Sequence, residues 1–299
     1  MLTAILRERE DVANALAALV DYRPSRDRPP IQAFPRSDHY ALVGTAFDYL
    51  LRWELERRNP SAVDREWVAT TTVTRLLPLL GPEKIDPFTK SLYVRVHDEA
   101  EAFHRRWLEL REPTPNDVIQ AARIVLCLAK IDPLYRAGVV LPDVYVFDPR
   151  DVEDIETLYS IAPWEVLGGA RGASVLLNPD YGVWSRRLDG ADADLVVGST
   201  LVDLKTSKYN DIEKHFPQLV GYYALGELYR QDEPSYPEVE RAGIYWCRHG
   251  YLETFDTAPI RENPGYERAV TALLEAADEI SARKRAAIEA ASGLLVSPE

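Results

Sequence analysis

The spacing of hydrophobic and polar positions is helical over most of the first half of the chain. Residues 4 to 20 carry apolar side chains at helical intervals, and four prolines between positions 24 and 35 then predict an extended connector. Residues 40 to 58 predict a second helix, which ends before Pro60. From residue 64 to residue 163 the spacing stays mostly helical and is interrupted by prolines. The first half is therefore predicted to be largely helical.

The pattern changes after Gly172, where short β-prone runs replace the helical spacing. These runs are bounded by glycines and by Asn178-Pro179, as strands usually are. The predicted strands are residues 174 to 177, 191 to 197, 200 to 206, 242 to 248 and 251 to 255. The last two form a hairpin that turns at His249-Gly250. Helices are predicted over residues 212 to 230 and 264 to 291.

This order of elements predicts a compact α/β core that carries a large helical insertion. We divide the chain into N-terminal helices that include the first core helix (residues 1–60), a helical insertion (61–170) and an α/β core (171–299).

Composition excludes several classes of protein. Hydrophobic residues make up 46% and charged residues 28% of the 299 positions, which argues against a disordered chain or a coiled coil. No apolar run is long enough for a membrane helix. Cys127 and Cys247 are too few for a disulfide framework or a four-cysteine iron–sulfur cluster. We therefore expect a soluble, cytoplasmic protein with no membrane contact and no iron–sulfur cluster.

The charge is acidic overall and locally basic. A net charge of −13 argues against broad, non-specific attraction to nucleic acid. Only seven of the 35 basic residues are lysines, and three of them lie within ten positions of one another: Lys205, Lys208 and Lys214. A solvated turn explains this cluster, and a local basic groove is the alternative.

The most informative pattern is a hairpin that contains several aspartates. Gly198-Ser199 between apolar alternations predicts a two-residue turn with glycine first, as a type II′ turn requires. This turn sets Asp194 directly opposite Asp203. In the same register Asp192 faces Lys205. The opposite face of the hairpin is apolar and suits a core.

The two facing aspartates predict a cation site. Like charges directly opposed in a sheet are destabilising, so Asp194 and Asp203 are expected to share a proton or to bind a cation. Carboxylate oxygens favour Mg²⁺ or Mn²⁺ over zinc. Lys205 points to the same face as Asp203 and is placed to hold a water or a developing anion. An ordinary hairpin with both aspartates in solvent is the alternative interpretation.

Two predicted helices add further candidates. Asp48 lies beside an apolar stripe, so its carboxylate is expected to point inward, where it needs a metal or a hydrogen-bond partner. Gly44, one turn earlier, leaves room for the sheet to approach. Gln218 and Tyr222 are four residues apart and share a helix face. A boundary aspartate that reaches solvent is the alternative for Asp48.

His97, Glu101 and His104 are spaced to lie on one helix face. They do not follow the H-E-x-x-H order of zinc hydrolases. We interpret them as part of an exposed face of mixed charge.

These motifs together resemble those of the PD-(D/E)XK nuclease superfamily and, within it, the RecB-like branch. The resemblance rests on Asp194 followed by Asp203-Leu204-Lys205, on the Q-x-x-x-Y motif Gln218–Tyr222, and on Gly44-Thr-Ala-Phe-Asp48. RecB-like nucleases usually have histidine where this chain has Asp48, and the first acidic position lacks its proline. Asp192 competes with Asp194 for that position, and we prefer Asp194 because it faces Asp203.

The resemblance implies a restriction-endonuclease-like core in residues 171–299, with a small mixed sheet flanked by helices. It also implies metal-dependent hydrolysis of phosphodiester bonds in DNA. Asp194 and Asp203 would then hold one or two Mg²⁺ or Mn²⁺ ions, with Asp48 as a further ligand.

The same resemblance implies roles for the polar residues around the metal. Lys205 would orient the attacking water or neutralise charge on the phosphate. Gln218 and Tyr222 would position the active-site strand or contact the DNA backbone. The flanking phosphate contacts would be Lys208, Lys214 and His215.

Nucleases of this branch often work in repair, mobile-element or defence assemblies, so the resemblance also implies a partner protein. The alternative function is a catalytically inactive nucleic-acid-binding or assembly subunit that keeps the nuclease fold.

Overall fold

The structure is a computed structural model that describes residues 2–24, 28–168 and 173–293. The predicted boundary at residue 170 lies outside the described residues. The described chain forms one six-stranded mixed sheet flanked by helices, which confirms the mixed α/β class.

Nine helices precede the second strand in the described chain. They are α1 (Leu2–Glu8), α2 (Glu10–Ala17), α3 (Tyr40–Arg58), α4 (Val68–Thr71), α5 (Pro87–Glu109), α6 (Pro115–Ala129), α7 (Asp132–Ala137), α8 (Pro149–Ile161) and α9 (Trp164–Leu167). A π-helical turn (Thr72–Leu76) and a 3-10 turn (Leu77–Leu79) follow α4. The predicted helix over residues 40 to 58 is confirmed, whereas the one over residues 4 to 20 is divided at Arg9.

Prolines that interrupt the helical spacing also start helices. α5, α6 and α8 each begin with proline, directly after a residue whose side chain accepts a backbone N–H of the first turn. Proline suits this position because its fixed φ is already helical and its missing N–H is not needed there. The capping residues are Asp86, Thr114 and Asp148.

The second half of the chain contains five of the six strands. The remaining helices are α10 (Val183–Arg187), α11 (Phe216–Asp232), α12 (Ala258–Glu262) and α13 (Tyr266–Gly293), with 3-10 turns at Ile212–His215 and Cys247–His249. The strands are β1 (Val63–Asp64), β2 (Val175–Leu177), β3 (Leu195–Val197), β4 (Thr200–Lys205), β5 (Arg241–Trp246) and β6 (Tyr251–Asp256). All five predicted strands are present, although β3 begins four residues later than predicted and β5 ends two residues earlier, at the 3-10 turn Cys247–His249.

The strands lie in the order β1-β2-β3-β4-β5-β6. β1 pairs parallel to β2 and β4 pairs parallel to β5, whereas the other neighbours are antiparallel. Sequence spacing missed β1, because two residues are too short to show strand periodicity. This strand belongs to the predicted helical insertion and extends the sheet of the core.

Both faces of the sheet are buried. Leu195, Val197 and Val202 pack in one hydrophobic core with α3, α5, α6 and α8. Val196 and Leu201 point the other way and pack in a second core with α1, α2, α11 and α13. The predicted contrast between one apolar face and one polar face is therefore wrong for most of the hairpin, and the polar residues are confined to its open end.

The predicted insertion does not pack as a separate unit. The first of the two cores contains side chains from Ala33 to Cys247 and includes residues of α3, the insertion and the sheet. None of the described helices combines the length and the apolar character of a membrane span.

Candidate functional site

The β3–β4 hairpin has the predicted register. Leu195 pairs with Val202 and Val197 pairs with Thr200. Gly198 has a φ of 57°, in the left-handed region that a tight hairpin turn requires and that glycine adopts without strain. Asp194 and Asp203 are the next positions along the two strands, so the turn brings them together.

The Asp194 carboxylate takes the place of a backbone carbonyl in the hydrogen-bond ladder between β3 and β4. Its Oδ2 accepts a hydrogen bond from the backbone N–H of Leu204 at 2.6 Å. In a continued antiparallel ladder, this N–H would donate to a backbone carbonyl of the opposite strand. The Asp194 carboxylate is therefore held against β4, next to Asp203.

Asp192 does not face Lys205, so that prediction is wrong. The chain before Asp194 separates from β4, and Asp192 forms a bridge with Asp180. Its carboxylate is ion-paired with Arg65. Of the two competing acidic positions, Asp194 is therefore the one that lies against β4.

Asp203 and Lys205 begin a line of polar contacts that reaches α11. Asp203 is 2% exposed, and its Oδ2 lies 2.5 Å from Lys205 Nζ. The same ammonium donates to Gln218 Oε1 at 3.3 Å. Gln218 Nε2 in turn donates to the Tyr222 hydroxyl at 3.2 Å. The structure thus joins four predicted site residues by direct contacts.

Asp48 approaches the hairpin because Gly44 allows α3 to lie against the end of β4. A Cβ added at Gly44 would lie 2.6 Å from Thr206 Oγ1, which confirms that this glycine allows close approach. The partner of the Asp48 carboxylate is Arg52, whose Nη2 donates to Asp48 Oδ2 at 3.0 Å.

Arg52 is a site residue that the sequence analysis missed. Its side chain is 3% exposed and also contacts Asp64 Oδ1 at 3.4 Å. Burial lowers the pKa of Arg52, but Asp48 and Asp64 outweigh this effect and raise it, so the guanidinium stays charged. The i, i+4 spacing of Asp48 and Arg52 was a signal that could have identified this pair.

Negative charge accumulates around Asp194. Burial and the neighbouring carboxylates of Asp203 and Asp48 raise the pKa of Asp194 to about 8. Burial lowers the pKa of Lys205, but the two facing aspartates raise it by more. Burial and the same aspartates raise the pKa of Tyr222 well above its usual value. When all three carboxyl groups are ionised, they exceed the two neighbouring cations, Lys205 and Arg52, by one negative charge.

Asp48, Asp194 and Asp203 are not arranged as metal ligands, because their carboxylate oxygens do not all lie within 4.8 Å of one another. Within the described ranges, the group of His, Cys or acidic residues that meets this distance is His97, Asp98 and Glu101. His97 is 5% exposed and lies 2.9 Å from Thr70 Oγ1 through its Nε2. The interpretation of this helix face as exposed is therefore wrong for His97, which has a packing role.

The three predicted phosphate contacts lie beside the site and differ in how exposed their side chains are. Lys208 is exposed, with its Nζ 5.2 Å from the centre of the Tyr209 ring. Lys214 is 76% exposed and paired with Asp211 at 3.0 Å. His215 packs edge-on against a tryptophan and is half-buried, and burial lowers its pKa.

The insertion also contributes residues near the site that the sequence did not indicate. Arg65, half-exposed, pairs with Asp192 and Asp180. Asp132 is 3% exposed, accepts a 2.7 Å hydrogen bond from Tyr49, and has its pKa raised to about 6 by burial. No local spacing connects these residues with the hairpin, because they meet only in the folded chain.

A scan against protein-family models, a search of curated proteins and a search of solved structures each found no significant match. The functional argument therefore depends on the geometry of the described residues.

The raised pKa of Asp194 predicts a pH-dependent stability. Between about pH 4 and pH 8 the folded protein retains a proton that the unfolded chain releases, so this residue's contribution to the free energy of unfolding falls as pH rises. We expect the metal-free protein to lose more thermal stability between about pH 5 and pH 8 than its Asp194→Asn variant. Thermal melts in EDTA at both pH values measure this difference.

Repeating the thermal melts in Mg²⁺ instead of EDTA provides a second test. A divalent cation binds the ionised carboxylate, so the rise in Tm on adding Mg²⁺ is expected to be larger at the higher pH. The Asp194→Asn variant should show a smaller rise. Equal pH slopes for the two proteins, together with equal responses to Mg²⁺, would contradict the assignment.

Proposed function

We propose that this chain is a metal-dependent nuclease of the RecB-like PD-(D/E)XK type that hydrolyses phosphodiester bonds of DNA. The observation that carries the proposal is the meeting of Asp194 and Asp203 at the open end of the β3–β4 hairpin, beside Lys205. Paired carboxylates and a lysine are residue types that suit phosphodiester hydrolysis with a divalent cation. The contacts of Lys205 with Gln218 and of Gln218 with Tyr222 support the same assignment.

The donor set fits Mg²⁺ or Mn²⁺ in its chemistry. Asp48, Asp194 and Asp203 offer only carboxylate oxygens, which these ions prefer. Asp203 Oδ2 is buried and has no well-aligned hydrogen bond, because its contact with Lys205 is an ion pair without that geometry. Asp48 must rotate away from Arg52 to share an ion with the other two. When bound, the ion lowers the pKa of a coordinated water and stabilises charge on the phosphate.

The surrounding side chains orient the reacting groups. Lys205 keeps its positive charge between two carboxylates and is placed to bind a phosphate oxygen or to hold the attacking water. Gln218 accepts a hydrogen bond from this ammonium and so restricts its direction. Tyr222 accepts from the Gln218 amide and thereby orients the glutamine.

On this proposal, DNA contacts come from the lysines after β4. Lys208 is exposed and ready to bind a phosphate. Lys214 must exchange Asp211 for a phosphate oxygen. His215 has a lowered pKa, so it would contribute a hydrogen bond rather than a charge. A cytoplasmic location and a partner protein in a repair, mobile-element or defence assembly belong to the same proposal.

One observation favours the alternative, an inactive nucleic-acid-binding or assembly subunit. Asp48 is already paired with Arg52, and Asp203 is already paired with Lys205. A scaffold that had lost its metal would keep such internal ion pairs. Calorimetry with Mn²⁺ separates the two functions, because a scaffold should show no tight site that is lost on replacing Asp194.

A gel assay with linear and circular DNA tests the nuclease proposal directly. We expect cleavage in Mg²⁺ and none in EDTA, because the carboxylates alone supply neither a nucleophile nor positive charge. Cleavage of linear DNA only would assign end-dependent activity, and cleavage of both forms would assign internal cutting. A protein that cuts neither form, whether single-stranded or double-stranded, in Mg²⁺ or in Mn²⁺, would contradict the proposal.

A further inference from the structure

A cleft of about 570 Å³ runs along the β1–β2 edge of the sheet, on the face covered by α11. Apolar and aromatic side chains form half of its lining, among them Val63, Leu176, Pro179, Tyr229 and Tyr236, and the polar half includes three carboxylates, Asp64, Asp180 and Glu233. The two tyrosine rings meet edge to face, with their centres 5.5 Å apart. A cavity of this size and lining is typical of a small-ligand site and is large enough for one nucleotide.

One strand pairing and one helix connect the lining of the cleft with the candidate site. The backbone N–H of Asn178, which lines the cleft, donates to the backbone carbonyl of Asp194 at 2.9 Å. Tyr229 lies on α11 seven residues after Tyr222, which is about 10 Å along the helix axis. A ligand in the cleft therefore lies near the hairpin aspartates.

Arg65 is the basic side chain among the residues that line the cleft, where it is paired with two carboxylates. Its side chain is 46% exposed and is oriented by Asp180 and Asp192. The same residue also lines a second cleft of about 370 Å³ on the α3 side of β1. A guanidinium offers five N–H donors in a fixed plane, so one that pairs with carboxylates still has donors for a phosphate.

We propose that this cleft receives a nucleobase of single-stranded DNA that flanks the scissile phosphodiester, while Arg65 binds the adjacent phosphate. This inference rests on the proposed nuclease function. Aromatic and apolar walls accept the face of any base. Paired bases in a duplex are not available for such a cleft unless they are unstacked first. A single strand therefore fits the combination of an aromatic wall and one arginine.

Val63→Glu tests the cleft without disturbing a buried residue. Val63 is 62% exposed at the wall of the cleft, and a carboxylate there opposes both the base and the phosphate. We expect kcat/KM for cleavage of a single-stranded oligonucleotide to fall about tenfold, which is the loss that one stacked base represents. Val146→Glu is the matched control, because this valine is 66% exposed and lies elsewhere on the insertion.

An oligonucleotide series with one abasic nucleotide at each position locates the base. For the wild-type protein we expect one position at which removing the base lowers kcat/KM about tenfold. Val63→Glu should lose this sensitivity, because the two changes remove the same interaction. A Val63→Glu variant that cleaves the intact strand like Val146→Glu would overturn the inference. An equal loss on blunt duplex and on single-stranded DNA would overturn the single-strand assignment.

Failure of this inference is distinguishable from failure of the nuclease proposal. Hydrolysis of bis(4-nitrophenyl) phosphate, and its loss in Asp203→Asn, test the metal site without DNA. If the wild-type protein hydrolyses neither DNA nor bis(4-nitrophenyl) phosphate, the nuclease proposal fails. In that case, fluorescence anisotropy with a labelled single-stranded oligonucleotide tests whether the cleft binds DNA. Weaker binding by Val63→Glu than by Val146→Glu supports the inference, and equal binding overturns it.

Discussion

Asp203→Asn is expected to lower kcat/KM for DNA cleavage in Mg²⁺ by about 10³-fold, which corresponds to about 4 kcal/mol of transition-state stabilisation. Asp203 is almost fully buried, faces Asp194 across the hairpin and contacts Lys205. Asparagine keeps its size but lacks the negative charge that a divalent cation requires. We therefore expect the fold to remain intact while the metal site is lost.

Lys205→Ala is expected to have a comparable effect for a different reason. The ammonium contacts Asp203 directly and is oriented by Gln218. Its removal leaves the metal ligands in place, so Mn²⁺ binding should persist while cleavage is lost. A Lys205→Ala variant that cuts like the parent would contradict this role.

Asp256→Asn is the matched control for Asp203→Asn. Asp256 is the last residue of β6, its side chain is 76% exposed, and it lies 3.6 Å from Arg241 at the surface. We expect its cleavage activity and its Mn²⁺ binding by calorimetry to stay within twofold of the parent, or about 0.4 kcal/mol, as for other surface substitutions. If Asp203→Asn and Asp256→Asn behave alike, the site is not at the hairpin.

Asp154→Ala is expected to have the largest effect on stability, with a loss of about 3–5 kcal/mol in the free energy of unfolding. Asp154 and Arg248 are each 1% exposed and form a bidentate ion pair at 2.7 and 2.9 Å. Removing the carboxylate leaves a buried guanidinium without its counter-charge. Urea denaturation followed by circular dichroism measures the loss.

Glu153→Ala is the matched control for this prediction. Glu153 is the neighbouring residue on α8, is 55% exposed, and pairs with the exposed Arg36 at 3.2 Å. We expect its free energy of unfolding to change by less than about 1 kcal/mol, because exposed ion pairs contribute little. Equal losses for the two alanine variants would contradict the importance of burial.

The Arg248 pair also connects the insertion to the candidate site. Besides Asp154, Arg248 donates to the backbone carbonyls of Thr206 and Ala33, at 2.7 and 3.1 Å. Thr206 follows the strand of Lys205 and lies against Gly44 of α3. A weakened Arg248 pair is therefore expected to loosen the approach of Asp48 to the hairpin.

Features that depend on neighbouring residues were predictable. The helix at Tyr40–Arg58 follows from its apolar spacing and from Pro60, and the structure has the same bounds. The facing of Asp194 and Asp203 follows from a two-residue turn at Gly198, because a tight turn determines the pairing of the strands it joins. The Gln218–Tyr222 contact follows from helical spacing.

Features that depend on distant residues were not predictable. The pairing of β1 with β2 joins positions more than a hundred residues apart, and so does the ion pair of Arg65 with Asp192. The sequence also failed to show that the sheet is covered on both faces. A strand shows that its side chains alternate, but not which helices will cover them.

The sequence by itself determined most of the elements, the hairpin register and the identity of the polar residues at the open end of the hairpin. Each of these depends on backbone geometry over a few residues, which local sequence controls. Only the tertiary structure decided that the buried Arg52 also contacts Asp64, that Arg248 pairs with Asp154, and that a cleft lies next to the aspartates. Both ion pairs join distant segments, and they form because burying a charge requires a partner that only the folded chain supplies.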